Sequence, residues 1–391
     1  MATIDVQSWV IVILVAAGVT FIATPIVARV AWATGYVVQP DERRVHRIPT
    51  PTLGGTAMLV GFLAAMGAAW VIEDFNVVFE SDSEAFGIVV AAVLMWLVGF
   101  VDDLRDVSAP AKTAGMVLAG SAMAFAGVSI IWFRVPFYGL FLLTPDLSFL
   151  ITVIWVMGMA NAVNFIDGLD GLAAGIMAIA AGSFLLYSLR LGSEDVGLVL
   201  DSNIGPLVAA SVLGICLGFL PHNIHPAKIF MGDCGALLLG VLMAASTISV
   251  GGRTDDPFSG QAFFFYAPLV IPLVILAVPM IDMLFAIVRR ASSGAGLAEA
   301  DIGHLHHRLM NLGLGPRRSV AILWAWTALL SGFVLYPTYT GEGDAIVPIG
   351  VAAFGLLLYT VLWGSRLRRR GDKRSANSDS PAEDGQAVPR P

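Results

Sequence analysis

Carboxylates gather at a few places in this chain, at spacings that suit cation and phosphate chemistry. The segment GFVDDLRDVSAPAK sets Asp102 beside Asp103 at the end of an apolar run. Adjacent side chains on a helix point about 100° apart, so one can face a site while its neighbour takes a second ligand or a lysine such as Lys112. Paired carboxylates suit Mg²⁺ and proton acceptance, although two acids solvated at a helix end make the same pattern. The segment NAVNFIDGLDGLAAG carries Asn161, Asn164, Asp167 and Asp170 at steps of three. That spacing predicts one helical face on which amides and carboxylates jointly bind a base, a ribose or a hydrated cation. Gly168 and Gly171 would let backbone or ligand approach closely. The plainer reading is a polar turn between two apolar segments, and four phased polar groups weigh against it.

The segment PHNIHPAKIFMGDCGALLLG places Asn223 and Lys228 ahead of Asp233, at the mouth of the next helix. An Asp there is an ordinary N-cap worth about 1 kcal/mol. The same position, with Gly232 and Gly235 leaving backbone N–H groups accessible, can hold a metal-bound pyrophosphate against the positive helix end. Phe230 either offers a stacking face to a nucleobase or anchors an interface. A long loop, RRASSGAGLAEADIGHLHHRLMNLGLGPRR, holds His304, His306 and His307 among Arg289, Arg290, Arg308, Arg317 and Arg318. Without a cysteine or an HExxH motif beside them, these histidines read as donors to phosphate oxygens, with the guanidiniums binding bidentately, rather than as zinc ligands. Finally, PDERRVHRIPTPTLGG supplies Arg43, Arg44, His46 and Arg47 before Gly54 and Gly55, either as substrate-binding charge or as ordinary membrane-flanking charge.

The elements that must position these residues are membrane helices. Of 391 residues 57% are hydrophobic and only 13% charged, and the mean hydropathy is +0.81, so the bilayer is the solvent that matters. About 20 apolar residues span it as a helix, and runs of that kind occur at 8–32, 53–72, 86–101, 113–132, 147–163, 171–191, 203–220, 235–251, 262–288, 319–336 and 345–364. With the N-terminus outside, every Lys and Arg but Arg134, Arg190 and Arg253 falls on the inner side. This positive-inside bias and the odd number of runs support one another. The polar clusters then share one face, the cytoplasmic one. The expected fold is all-α, a polytopic membrane protein of about 11 transmembrane helices. A transmembrane domain is expected over 1–364, followed by a polar cytoplasmic tail, 365–391, expected to be disordered and beginning with an Arg cluster suited to stop-transfer and anionic lipid.

Other features constrain the function less. MATIDVQSW has no basic stretch, so the first run reads as a retained span. Cys216 and Cys234 lie in or beside apolar runs, without a disulfide framework or a cysteine metal site. The net charge of −7 sums both membrane faces; nucleic acid is not an expected partner. No repeat of tens of residues is visible, and so no clear inverted-repeat transporter halves.

Taken together and in order, PTPTLGG, GFVDDLRD, NAVNFIDGLDGL, FLPHNIHPAKIFMGDCGALLLG and HLHHRLMNLG resemble the polyprenyl-phosphate N-acetylhexosamine-1-phosphate transferase family. The likeness runs from about residue 35 to 320. One branch of that family uses UDP-MurNAc-pentapeptide and typically carries three His followed by Phe-Glu. His-Leu-His-His-Arg, with ERRVHR, looks instead like the branch that transfers GlcNAc-1-phosphate at the start of O-antigen, teichoic acid or arabinogalactan linker synthesis. The resemblance implies Asp102 and Asp103 near Mg²⁺ and the lipid phosphate, with Asn164, Asp167 and Asp170 on the nucleotide side. It implies Asp233 as the metal ligand, with Asn223 and Phe230 as its neighbours, and His304, His306 and His307 gripping sugar and pyrophosphate. Ala236 stands where the family commonly has Ser, which removes a hydroxyl bond worth about 1 kcal/mol but no metal ligand.

The reaction so implied is attack by a lipid phosphate oxygen on the β-phosphorus of UDP-GlcNAc, releasing UMP and forming polyprenyl-diphospho-GlcNAc at the inner face of a bacterial plasma membrane. Mg²⁺ is the expected cofactor, with Mn²⁺ as an alternative, held by Asp233 with help from Asp102. Catalysis would be positioning and electrostatics, either by direct displacement, the favoured route, or through an Asp-linked intermediate. A homodimer is compatible with the resemblance. Asp282, seven residues before Arg289, either orients the His loop or pairs locally. The competing functions are MurNAc-pentapeptide transfer and transport. Transport would place acids at mid-span in broken helices rather than on one face.

Overall fold

The structure, a computed structural model, describes residues 4–39, 48–80, 83–135, 139–193, 196–251, 270–293, 309–310, 314–340 and 347–360. The tail expected at 365–391 lies outside them. The first helices are α1 (Val6–Thr34), α2 (Gly54–Val71), a short α3 (Asn76–Phe79), α4 (Ser83–Arg105), α5 (Ala109–Phe125) and α6 (Pro145–Ile166). They are followed by α7 (Leu172–Leu191), α8 (Gly205–Asn223), α9 (Gly232–Gly251), α10 (Val270–Ile275), α11 (Ala277–Ser293) and α12 (Pro316–Thr340), and by α13 (Val347–Thr360). Eight of these, α1, α2, α4, α6, α7, α8, α9 and α12, are long and apolar enough to cross a bilayer. The shorter α5, α11 and α13 fall within or overlap the runs at 113–132, 262–288 and 345–364. The chain is therefore an all-α polytopic membrane protein.

Helix α9 is the axis of the bundle. Every residue from Cys234 to Gly251 is buried, with α2, α4, α6 and α8 packed around it. A helix apolar on all sides has no solvent face to prefer, so burial at the centre is its stable place. Lipid offers little hydrophobic drive for association, and helices adhere there by close packing at small residues. Gly240 of α9 lies against Ala160 of α6, and Gly55 of α2 against Gly235. Helix α1 sits at the edge, exposing Ile11, Leu14, Ile22 and Ile26 as lipid-facing surface.

Two small antiparallel ribbons interrupt the helices. Strand β1 (Val37–Val38) pairs with β2 (Thr50–Pro51), and β3 (Trp132–Val135) with β4 (Gly139–Leu142). The second corrects the boundary of the run expected at 113–132. Helix α5 stops at Phe125, and Gly127 at φ +103° turns the chain into an extended stretch. There the Ile130 N–H donates to Thr152 Oγ1 at 2.9 Å, and Ser148 Oγ donates to the Ile130 carbonyl at 2.7 Å. A short apolar run reads alike as buried helix and buried extended chain; only these partners on α6 separate the two.

Contacts keep the two ends of the bundle distinct. At one end Ser8 Oγ donates to Asp74 at 2.6 Å, and the Arg190 guanidinium reaches the Thr338 carbonyl at 3.4 Å. At the other, the segments near 51–55, 102–112, 161–171, 223–233 and 314–318 meet. These are segments that the charge bias assigns to the inner side.

Candidate active site

Three chain segments are pinned to one another before any catalytic group is placed. The Phe230 N–H donates to the Pro51 carbonyl at 2.9 Å, and the Gly54 and Gly55 N–H groups donate to the carbonyls of Phe230 and Met231 at 3.0 and 2.9 Å. The glycines of PTPTLGG thus let the start of α2 lie directly on the segment entering α9. A Cβ on Gly54 would stand 2.7 Å from the Phe230 carbonyl oxygen. Asn223, 3% exposed, accepts the Gly171 N–H at Oδ1 and donates from Nδ2 to the Ile229 carbonyl, both at 3.0 Å. Asp170 returns the connection. Its Oδ2 accepts the Ala227 N–H at 3.1 Å and lies 2.7 Å from His225 Nδ1.

On this frame Lys112, at the start of α5, stands between two carboxylates. Its Nζ is 2.7 Å from Asp102 Oδ2 and also hydrogen-bonds Asp233 Oδ2. Asp233 Oδ1 in turn accepts from Asn164 Nδ2 at 2.9 Å. Asp102 is held from behind, because its Oδ1 accepts the Val107 N–H at 2.8 Å. Asp103 turns the other way, with Oδ1 accepting the Asp233 N–H at 2.9 Å and Oδ2 the Cys234 N–H at 3.1 Å. Asp167 follows the last residue of α6. Its burial, and then the charges of Asp233, Asp103 and Asp170, push its carboxyl up to about 8.

Several expectations change here. The series 161, 164, 167, 170 does not share one helical face, because α6 ends at Ile166 and Gly171 at φ +75° opens α7. Asn161 instead bonds the Met157 carbonyl of its own helix and Met116 Sδ. Asn164 reaches Asp233, Asp167 lies near that acidic group, and Asp170 bonds the 225–227 loop. Asp233 is not the cap of α9, since its carboxylate points to Lys112 and Asn164. The helix-end amides of 233 and 234 are taken by Asp103, so they are not open to a pyrophosphate. Lys228 is exposed, its N–H bonded to the His222 carbonyl at 2.8 Å. Phe230 is half-buried, with its backbone in the pinned segment that enters α9. Arg43, His46, His304, His306, His307 and Arg308 lie outside the described residues. Asp282 is buried on α11. Sequence did not single out His225, because its partner Asp170 is fifty-five positions away.

The donor set suits a hard cation. Carboxylate oxygens of Asp102 and Asp233 already share one positive group, Lys112 Nζ, while Asn164 donates its Nδ2 to Asp233. Among the described residues no three of His, Cys, Asp and Glu form a closed metal site by themselves. Mg²⁺ keeps waters and takes one or two carboxylates together with substrate phosphates, and Asp102 and Asp233 are two carboxylates that would fit it. A cavity of about 350 Å³ lies beside the Asp170–His225 pair, lined also by Arg317 and Trp324.

Comparison with known proteins identifies the family. Residues 85–251 match the description of Glycosyl transferase family 4. The chain is 36% identical over 95% of its length to the decaprenyl-phosphate N-acetylglucosaminephosphotransferase of Mycobacterium tuberculosis (strain CDC 1551 / Oshkosh), covering 92% of that protein. It is 34% identical over 80% of its length to a probable undecaprenyl-phosphate N-acetylglucosaminyl 1-phosphate transferase of Bacillus subtilis (strain 168), covering 79% of it. It is also 31% identical over 86% of its length to the phospho-N-acetylmuramoyl-pentapeptide-transferase of Mycobacteroides abscessus, covering 99% of that protein. With relatives matched nearly end to end, and with the acids of the five motifs that lie in the described region gathered at one end of a helical bundle, the chain belongs to the polyprenyl-phosphate N-acetylhexosamine-1-phosphate transferases of glycosyl transferase family 4.

Proposed function

We propose that this protein transfers GlcNAc-1-phosphate from UDP-GlcNAc to polyprenyl phosphate, giving polyprenyl-diphospho-GlcNAc and UMP, at the cytoplasmic face of a bacterial plasma membrane. The observation that carries the reading is the pair of carboxylates, Asp102 and Asp233, around Lys112, with Asn164 donating to Asp233, in a chain 36% identical to a decaprenyl-phosphate N-acetylglucosaminephosphotransferase. Two features favour GlcNAc over MurNAc-pentapeptide: the higher identity to that relative, and His-Leu-His-His-Arg in place of three His with Phe-Glu. The concentration of Lys and Arg on the segments that carry the site supports the cytoplasmic side.

In this reading a lipid phosphate oxygen attacks the β-phosphorus, the bond from that phosphorus to the bridging oxygen breaks, and UMP leaves with the electron pair. Phosphates near neutral pH are already ionised, so the displacement needs no strong base. Two anions must nonetheless meet, and lowering their repulsion is the chief task of the site. Mg²⁺ held by Asp233 and Asp102 would supply charge neutralisation at the pyrophosphate. Asn164 fixes the rotamer of Asp233, and Val107 fixes that of Asp102, so the oxygens are set before substrate arrives. Lys112 holds the two carboxylates together and remains available to phosphate oxygens. Arg43, His46, Arg308 and the three histidines are proposed to complete the anion site.

The test is transfer of radiolabelled GlcNAc-phosphate into lipid, followed with UMP release, in liposomes containing polyprenyl phosphate, with and without Mg²⁺. Metal-dependent product that disappears in Asp233→Asn supports the proposal. Product only from UDP-MurNAc-pentapeptide would move the chain to the other branch, and no product from any UDP-sugar would reopen a transport function.

A further inference from the structure

The two adjacent acids of GFVDDLRD face different partners. Both carboxylate oxygens of Asp103 accept backbone N–H groups from the first turn of α9, at 2.9 and 3.1 Å, whereas Asp102 meets Lys112. A helix start leaves several N–H groups without intrahelical partners, normally met by a Ser, Thr, Asp or Asn just before it. Here Phe230 and Met231 lead into α9 and Gly232 opens it, and none of the three has a side chain that can cap it. Gly232 has φ +74°, and a Cβ there would stand 2.5 Å from Asp103 Oδ2. Gly99, one turn before Asp103 on α4, meets the same helix start, where a Cβ would lie 2.5 Å from the Asp233 carbonyl oxygen. Two glycines therefore clear the space through which one carboxylate reaches from α4 to α9.

We infer that Asp103 is a positioning residue, a cap supplied to α9 by another helix, which fixes the backbone of Asp233 so that its carboxylate points at Lys112 and Asn164. It does not share the cation with Asp102. The inference rests on the cation-centre reading above only for its consequence, the aim of Asp233; the cap itself stands on the two hydrogen bonds.

The experiment uses the full chain in detergent, with Asp103→Ala, Asp103→Asn and, for reference, Asp102→Asn. Hydrogen exchange is followed in metal-free protein through peptides covering 231–236, together with thermal midpoints and Mn²⁺ binding by electron paramagnetic resonance. Loss of the cap exposes the amides of 233 and 234, so Asp103→Ala should exchange there about tenfold faster and melt a few degrees lower. Asp103→Asn, which keeps one acceptor, should fall between it and the parent, and Asp102→Asn should leave this exchange unchanged. Mn²⁺ should bind several-fold more weakly to both Asp103 variants, Asn the less affected. If Asp103→Ala fails to fold, Asp103→Asn carries the comparison. Unaltered exchange at 231–236, with Mn²⁺ binding lost and a metal-free midpoint equal to or above the parent's, would overturn the inference, because removing a mere ligand relieves repulsion among the acids. A parent that binds no Mn²⁺ would sink the cation-centre reading, and the exchange rates would still decide the cap.

Discussion

The backbone N–H of Asp233 donates to the side chain of Asp103 across 2.9 Å, so the residue proposed to hold a cation is itself held by an acid from a neighbouring helix. The bond joins α4 to the buried axis of the bundle at the point where the chemistry is proposed. Helix packing and site geometry are therefore one feature here, and changes that loosen the packing should reach the site.

Gly99→Ala tests that link. Its Cβ would meet backbone of Asp233 and Cys234, which cannot rotate away. Overpacking of this kind costs about 1–3 kcal/mol. The expected outcome is a folded protein with a lower thermal midpoint and transfer reduced at least about tenfold, from a shift of roughly 1.4 kcal/mol in positioning. Unchanged transfer would mean that α4 and α9 can separate without disturbing Asp233.

Lys112→Met removes the only described ammonium bonded to Asp102 and Asp233. Both acids keep some exposure, so the loss in metal-free protein should stay near 1–3 kcal/mol, below that of a fully buried pair. Added Mg²⁺ should raise the midpoint of the variant by more than it raises that of the parent, since the cation then meets two uncompensated carboxylates. Differential scanning fluorimetry with and without Mg²⁺ reads the comparison.

Asp167 predicts a pH effect. Its carboxyl is pushed up to about 8, first by burial and then by neighbouring acids. A carboxyl raised on folding binds a proton more readily in the native state, so its stabilising contribution is full below its ordinary value near 3.8 and is lost as pH rises through about 8. Asp167→Asn in metal-free protein should flatten the fall in thermal midpoint between about pH 5 and 8. A parallel pH profile in parent and variant would count against a raised Asp167.

Asn223→Ala leaves the Gly171 N–H and the Ile229 carbonyl without their buried partner. Each unsatisfied group costs about 1–3 kcal/mol, so a drop of several degrees in midpoint is expected, with Asn223→Asp intermediate because it keeps the acceptor. Equal midpoints would show that water replaces the amide.

Much of this protein was legible before folding. Apolar runs, charge bias and motif order are local properties, and they pointed to an all-α membrane bundle with its acids on one face. Asp102, Asp233 and Asn164 stood out because polar groups beside hydrocarbon demand a partner. The boundary of α5 was not legible, since Val128, Ile130 and Ile131 are apolar whether helical or extended. Nor was the division of labour between Asp102 and Asp103. Adjacency requires only that they point apart; which one turns to α9 depends on Gly99 and Gly232 bringing another helix within reach. Likewise a step of three implied a shared face for Asn161 to Asp170, but α6 ended first, and Asp170 found His225 and the Ala227 amide.

The sequence by itself determined the solvent, the helical class, the family and the inventory of acids, because hydropathy and residue spacing act over a few turns of chain. Tertiary structure alone decided which acid caps, which meets Lys112 and which is raised by its neighbours. Those outcomes depend on hydrogen bonds of about 3 Å between residues as much as 131 positions apart, and no local pattern encodes such a distance.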